Sequence, residues 1–299
     1  MLNISLKQLN VFFSITQHGS LTCAANALCL SKSAVSMALS ELEKQLGTAL
    51  FDRVNNRLIL NLEGRTLLPL ADELIARANE ISTLFTEGSS SLSSLRIGAS
   101  ETIGNQVAPY LLGDLAKQAP DKLHRLFISN SAAICEKLLD YELDAGLIEG
   151  TTTHPELISQ VFSGDEMAII AASSSPLADG KKVSISQLNN QPWVLREPGS
   201  GTREFFLHSI APNLTDWHES VELNTTEAII NSVSAGLGFA CLSQLAVGSA
   251  IADGRVKAIQ LDVEMKRQFY LVYHKQKYLN PQLSRLISHC LNWQPLIQR

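Results

Sequence analysis

Cysteine is scarce in this chain of 299 residues, and the five that occur, Cys23, Cys29, Cys135, Cys241 and Cys290, are odd in number and scattered. They lack the close paired spacing of a zinc site, so they read as reduced, mostly buried thiols packing as small core residues. Long apolar runs are absent too: nothing approaches the roughly 20 residues that a membrane span needs, and the N-terminus has no basic region followed by an apolar signal core. The expectation is a cytoplasmic protein with no membrane partner. Also missing are a Gly-x-Ser-x-Gly elbow, a metal triad, a dinucleotide fingerprint and the Gly-Lys-Ser/Thr ending of a phosphate-binding loop. These absences argue against an enzyme and against a bound cofactor or metal. His154, His208 and His218 show no metal spacing and read as solvated.

What is present is an ordinary globular composition, 45% hydrophobic and 18% charged, in a chain too long for one small domain. Two or three compact units, each with its own core, are expected. Charge is distributed unevenly. Over residues 1–61, five cations (Lys7, Lys32, Lys44, Arg53, Arg57) face three carboxylates (Glu41, Glu43, Asp52), a net of +2; the whole chain carries −5, so the remainder carries −7. That asymmetry suits a DNA-binding head on an acidic body, with specific contacts preferred over bulk attraction.

The head is organised around residues 20–47, SLTCAANALCLSKSAVSMALSELEKQLG. Ser20 is placed to cap a short helix over 21–28, whose Ala24, Ala25 and Ala27 admit a close neighbour. After a turn at 29–32, Ser31 or Ser33 caps a second helix. Val35, Ala38, Leu39, Leu42 and Leu46 give it one apolar stripe, and Gly47 stops it. Lys32, Ser33, Ser36 and Ser40 are left outward near its start, as in a recognition helix lying in the major groove. Arg53, Asn55, Asn56 and Arg57 fall on a turn between short apolar runs, as a backbone-gripping wing requires. A supporting helix over 6–18 is predicted from Leu6, Leu9, Phe12, Phe13 and Ile15.

Residues 63–87 are predicted to form one long helix, with Leu67, Leu70, Leu74, Ile81 and Leu84 as a stripe, Arg77 on its seam and a kink near Pro69. At about 1.5 Å per residue it exceeds roughly 35 Å, too long for the head alone to bury. Pairing with a second copy is expected, with intramolecular packing as the alternative. The polar run 87–94, EGSSSLSS, reads as a linker. From residue 95 the pattern becomes strand 95–99, helix 104–118, strand 123–128, helix 132–139 and strand 145–149, a βαβαβ unit. A second unit starts at 166, takes in a helix after Ser184 and a strand over 193–196, and ends near 263. A strand over 269–274 and a helix over 281–290 follow.

Small polar residues recur where strands give way to helices: Ser100 and Thr102, Asn130 and Ser131, Ser200 and Thr202, Thr225 and Thr226. Helix N-termini there offer unpaired amides to an anion. For any one of these residues alone an N-cap is the better reading, and it is their repetition in both lobes that favours a ligand site. In the segment REPGSGTRE, Arg196 and Arg203 can complement an anion, while Gly199 and Gly201 allow close backbone approach. Arg203 can instead pair with a surface acid. Glu149, closing a strand on the cleft side, would repel an anion unless it is itself paired or binds a cationic ligand.

From Leu9 through GSLTCAANAL, SKSAVSMALSELEKQLGTALFDR and the later EGRTLL, the chain resembles the LysR-type transcriptional regulators, nearest to the branch around YeiE, CysB and CbbR. The resemblance implies an α+β multidomain fold. Residues 1–61 would form a winged helix-turn-helix and 62–94 a linker and dimerisation helix with a hinge. Residues 95–299 would form a two-lobed α/β effector domain like a periplasmic binding protein, lobe I about 95–163 and 268–299, lobe II about 164–267. It implies a sequence-specific regulator whose partners are double-stranded DNA, a small anionic effector between the lobes, further copies of itself as a homodimer and homotetramer, and RNA polymerase. Ser33, Ser36 and Met37 would contact bases and Lys32, Arg53 and Arg57 the backbone or minor groove; many members carry Arg or Lys where Met37 stands. Ser100, Thr102, Asn130, Ser131, Ser200, Thr202 and Thr225 would line the effector site. Because the family includes peroxide sensors, a redox-active cysteine pair stays open. A solute-binding module on the same cleft is the alternative from another class.

Overall fold

The computed structural model describes residues 3–55, 57–84, 95–118 and 125–293. Asn56 of the expected wing turn, the expected linker 87–94 and the start of the expected strand 123–128 lie outside the described residues. The head begins with α1 (Leu6–His18), α2 (Leu21–Ala27) and α3 (Lys32–Leu46). Each helix starts on a cap: Ser5 forms a capping box with Gln8, Ser20 Oγ accepts from Cys23 N–H, and Ser31 rather than Ser33 accepts from Ala34 N–H. Phe12, Ile15, Val35 and Leu42 are fully buried among the three helices. Phe12 also meets Phe51 at 5.5 Å between ring centroids, which ties in the hairpin β1 (Phe51–Val54) and β2 (Arg57–Leu60).

From the hairpin, α4 (Leu62–Leu84) continues through Pro69 as one helix. Its sides differ. Leu68 and Ala71 pack into the head, whereas Leu70, Leu74 and Ile81 are 56%, 48% and 60% exposed. Arg77, between Leu74 and Ile81 on that stripe, pairs with Glu73 at 2.9 Å and lies 4.4 Å over the Tyr278 ring.

The body opens with β3 (Arg96–Ser100), α5 (Glu101–Gln106), α6 (Ala108–Gln118), β4 (Arg125–Ser129), α7 (Ser131–Leu139) and β5 (Ala145–Glu149). β3 pairs in parallel with β4 and β5, giving the expected βαβαβ unit. The helix expected over 104–118 is two helices and starts earlier. Pro109, in the first turn of α6, has no N–H and its ring bars a helix running in from the preceding turn.

The 16-residue β6 (Leu157–Ala172) then leads out of this lobe. The second lobe contains β7 (Lys182–Val183), β8 (Pro192–Arg196), α8 (Gly201–Phe205), β9 (His218–Leu223), α9 (Thr226–Ser234), β10 (Ala240–Ser243), α10 (Gln244–Ala252) and β11 (Val256–Leu261). The helix expected after Ser184 is a single 3-10 turn, Ile185–Leu188. It buries only Leu188, and Asn190 at φ 58° turns the chain just before Pro192. β12 (Lys266–His274) returns antiparallel to β6 and also pairs with β5, and α11 (Pro281–Leu291) ends the described fold. The sheet order is β4-β3-β5-β12-β6-β11-β7, with β10 also on β6 and β8-β9 as a separate parallel pair. β6 and β12 are therefore the strands common to both lobes.

All five cysteines are free, but only Cys241 and Cys290 are buried. Cys23 and Cys29 are exposed, against expectation, because the seven-residue α2 buries only Ala24 and Ala25, and Cys29 sits in a left-handed turn at φ 53°. Burial pushes the Cys241 and Cys290 thiols up to about 12.

Head and body meet at a buried charge cluster. Lys277 Nζ lies 2.9 Å from both Asp72 of α4 and Asp144. Arg96 grips Asp144 with Nη2 and its backbone N–H, each at 2.8 Å. Tyr141, at φ 57°, inserts from the body into the apolar cluster of the head, and its hydroxyl meets His274 Nδ1 at 2.8 Å. Burial alone would raise the Asp144 carboxyl, but Lys277 and Arg96 overcome it and bring it from 3.8 to about 2. A carboxyl depressed on folding contributes stability that is complete above its unfolded value and is lost as pH falls through the folded one. This group should therefore account for roughly 2 kcal/mol lost between about pH 4 and pH 2. Denaturant titrations across that range should show the loss in the native chain and a flatter acid limb in Asp144→Asn; equal slopes would refute the assignment.

Candidate functional site

On α3, Lys32 and Ser33 are exposed in the first turn, Ser36 is half-buried, and Met37 is 72% exposed. Ser33 Oγ lies 2.9 Å from the capping hydroxyl of Ser31, so part of its hydrogen-bonding capacity is turned inward. Arg53 and Arg57 stand exposed on the wing strands, in register opposite Leu58 and Val54. Except for Ser36, the residues expected to meet DNA are thus open to solvent.

Four of the seven expected effector residues gather on Glu149, an anion that belongs to the chain. Glu149, at the end of β5, is 2% exposed. Its carboxylate accepts from Thr102 N–H at 2.9 Å, Thr202 Oγ1 at 3.1 Å and Arg267 Nη1 at 3.0 Å. Its backbone is held as well: Glu149 N–H donates to Ser100 Oγ at 3.2 Å, and Ser131 Oγ donates to its carbonyl at 3.1 Å. Arg267 turns its other edge to Asp165 in a bidentate pair, Nε–Oδ1 2.9 Å and Nη2–Oδ2 2.6 Å. Strand register explains this arrangement. Arg267 on β12 is directly opposite Asp165 on β6, and Phe269, two residues on, is opposite Glu149 on β5. Burial would raise the Glu149 carboxyl, yet Arg267, with Thr102, Thr202 and Arg196, holds it below the usual carboxylate range.

A second cluster lies where β8 ends. Arg196, also 2% exposed, forks onto Glu197 through Nε at 2.8 Å and Nη2 at 3.0 Å, and reaches Glu101 of the other lobe with Nη1 at 3.2 Å. Glu101 in turn accepts from Thr226 N–H at 3.2 Å and from the Thr226 hydroxyl. Asn130 caps α7 with its oxygen and donates to Glu197 at 3.2 Å. Arg203 points away, to Glu219 at 2.8 Å and Glu222 at 3.5 Å on β9, which decides for the surface-acid alternative.

Of the seven expected effector residues, Ser100, Thr102, Ser131 and Thr202 therefore gather on Glu149. Asn130 serves α7 and Glu197, Ser200 is buried at the start of α8, and Thr225 is exposed with no side-chain cap bond. Between the lobes opens a groove of about 700 Å³, floored by Glu149, Gly201 and Arg267 and walled by Cys135, Thr152 and Phe205 among others. Of the seven only Ser131 lines it. Gly199 and Gly201, expected to bring backbone close to a ligand, both line the groove and also bring backbone against lobe I. A Cβ on Gly201 would stand 2.3 Å from the Glu149 carbonyl oxygen; one on Gly199, at φ 86°, would stand 2.9 Å from Ala132 Cβ. Sequence reading missed Glu101, Asp165 and Arg267. Arg267 carried a usable signal, since it shares strand parity with the buried Phe269 and Leu271, where a charge demands a partner. Among the described residues no cluster of His, Cys, Asp or Glu is arranged to hold a metal ion.

A family model for the bacterial regulatory helix-turn-helix protein, lysR family, matches residues 6–65, and one for the LysR substrate binding domain matches residues 88–295. The chain belongs to the LysR family of transcriptional regulators, which pair a DNA-binding domain with an effector-binding domain and are not enzymes. It is similar to YeiE of Escherichia coli (strain K12), an HTH-type transcriptional regulator described as uncharacterized, with 39% identity over 290 residues, covering 97% of this chain and 98% of that one. With the HTH-type transcriptional regulator CysL of Bacillus subtilis it shares 30% identity over 274 residues, covering 89% of each. Among solved structures, a full-length OxyR variant from Pseudomonas aeruginosa has the same fold, with a TM-score of 0.77 at 21% identity, covering 98% of this chain and 99% of that one. The Synechocystis CcmR regulatory domain in complex with 2-PG gives 0.61 at 25% identity, covering 66% and 95%.

The close contact at Gly201 makes the interlobe fit sensitive to a single methyl group. Gly201→Ala should cost about 1–3 kcal/mol through overpacking. Gly248, on α10, has nothing within 4 Å of the place a methyl would take, so Gly248→Ala is the control and should be neutral or slightly stabilising. Denaturant unfolding of the two variants decides; equal stabilities would mean the lobes yield freely at Gly201.

Proposed function

We propose that this chain is a sequence-specific regulator whose promoter binding is set by a small anion taken up between the lobes. Residues 1–61 act as the DNA head, 62–94 as linker and dimerisation helix, and 95–299 as the effector domain. The observation that carries the anion reading is the convergence of the Thr102 N–H, the Thr202 hydroxyl and the Arg267 guanidinium on the buried Glu149 carboxylate, donors already arranged around negative charge. The exposed Leu70, Leu74 and Ile81 support dimerisation through α4, since an apolar stripe of that kind is stable when a second helix covers it. Assembly to a tetramer, contact with RNA polymerase and a place in the cytoplasm complete the proposal. In keeping with the last, no helix among the described residues is long and apolar enough to cross a membrane.

Lys32, Arg53 and Arg57 hold the DNA backbone in this reading, while Ser33, Ser36 and Met37 meet base edges. Met37 offers only apolar contact, for instance to a thymine methyl, so specificity leans on paired half-sites and DNA shape. Selection on random duplexes checks the assignment. Met37→Arg should change the selected sequence, and Arg53→Ala should weaken all sequences alike and lower the salt slope by about 1; the reverse pattern overturns both roles. For the effector, thermal shift of the full chain against small carboxylates, sulfur oxyanions and phosphorylated metabolites should find an anion that raises the melting temperature and alters operator affinity in a gel shift. The combined Ser100→Ala and Thr202→Val variant should lose that response. A chain whose operator binding ignores the whole panel would refute the anion reading.

A further inference from the structure

Arg196 is a buried cation with more carboxylate around it than it can neutralise. Glu197 takes one edge of its guanidinium, the Nε and Nη2 donors, at 2.8 and 3.0 Å. The remaining Nη1 is directed across the cleft to Glu101, where the Thr226 N–H and hydroxyl also converge. One cation thus faces two carboxylates. Glu101 comes from α5 in lobe I, whereas Arg196 and Thr226 belong to lobe II, so the contact spans the cleft. Thr226 opens α9, whose first turn adds a favourable field for negative charge. Glu101 thereby fills a seat that offers three donors: one guanidinium N–H, one backbone N–H and one hydroxyl.

We propose that Glu101 is a tethered competitor, the chain's own occupant of an anion seat formed by Arg196 and Thr226, and that an effector acts by taking its place. This deepens the effector reading above and rests on it. With Glu101 seated, the lobes are clasped by an internal ion pair. With an external anion seated, Glu101 is released and the clasp becomes dependent on the ligand. Charge sets the ligand class. Glu197 already balances Arg196, so the seat tolerates one further negative charge, as Glu101 supplies, and a second would meet Glu197 without a cation to offset it. The geometry points to a monoanion, either a small carboxylate or a singly charged oxyanion. A ligand can move the clasp only by its differential affinity for the two states, and Glu101, held at high local concentration, sets the threshold it must exceed.

Chemical rescue tests the seat. In the full chain, Glu101→Ala empties it and should lower the melting temperature by several degrees. Millimolar acetate or nitrate should then restore stability saturably, with at least tenfold weaker effect on the native chain, and sulfate should rescue less well. Adding Arg196→Gln should abolish the rescue. Should the alanine variant fail to fold, Glu101→Gln serves in its place, because the neutral amide weakens the clasp and should bind acetate more tightly than the native chain does. Rescue that is equal in the native chain, equal with sulfate, or retained without Arg196 overturns the proposal. The effector reading is scored separately, by the gel-shift response of the native chain to the anion panel: a response there without rescue sinks the competitor alone, and rescue without any response sinks the regulatory reading.

Discussion

Arg267 between Glu149 and Asp165, all withdrawn from solvent, is the constraint around which the effector domain is built. Its three members stand on β12, β5 and β6, adjacent strands that include both crossings between the lobes. Removing one partner of such a buried set leaves an uncompensated charge, which costs about 3–5 kcal/mol. The set therefore fixes the order and register of the central strands. It also fixes the lobe interface, because the Glu149 carboxylate takes the Thr202 hydroxyl from α8 and the Glu149 backbone receives the close approach of Gly201. Charge satisfaction and steric fit demand the same lobe geometry.

The same logic recurs at the joint with the head. Lys277 joins Asp72 on the long helix to Asp144 in lobe I, and Tyr141 fills the apolar cluster of the head from the body side. Lobe I is thus joined by packed side chains and ion pairs directly to the helix that follows the DNA-binding domain. Leu70, Leu74 and Ile81 are left exposed on that helix, whereas Asp72 is buried in the joint.

Local elements were largely legible. The caps at Ser20 and Ser31, the stripe on α3, the stop at Gly47 and the βαβαβ unit all follow from short-range pattern, because helix and strand periodicities and capping act within a few residues. Pro109 and Asn190 account for two misread helices, and both were visible as local breakers. Cys23 of α2 and Cys29 of the turn after it were misplaced because burial depends on what covers a surface, and a helix of seven residues with the turn that ends it has an uncovered side. The effector residues show the limit most clearly. Four of them, Ser100, Thr102, Ser131 and Thr202, are held by Glu149, whose partners Thr202 and Arg267 lie 53 and 118 residues away.

The sequence by itself determined the elements, their order, the polarity of the head against the body and the presence of donors suited to negative charge. Each of these depends on residue type and near neighbours. Only the tertiary structure decided which charges meet: that Arg267 neutralises Glu149 and Asp165, that Arg196 is shared between Glu197 and Glu101, and that Arg203 turns to the surface. Ion pairing between distant segments is set by strand register and lobe closure, and neither is encoded at short range. A buried charge can be recognised along a chain as needing a partner, but the partner is chosen by the fold.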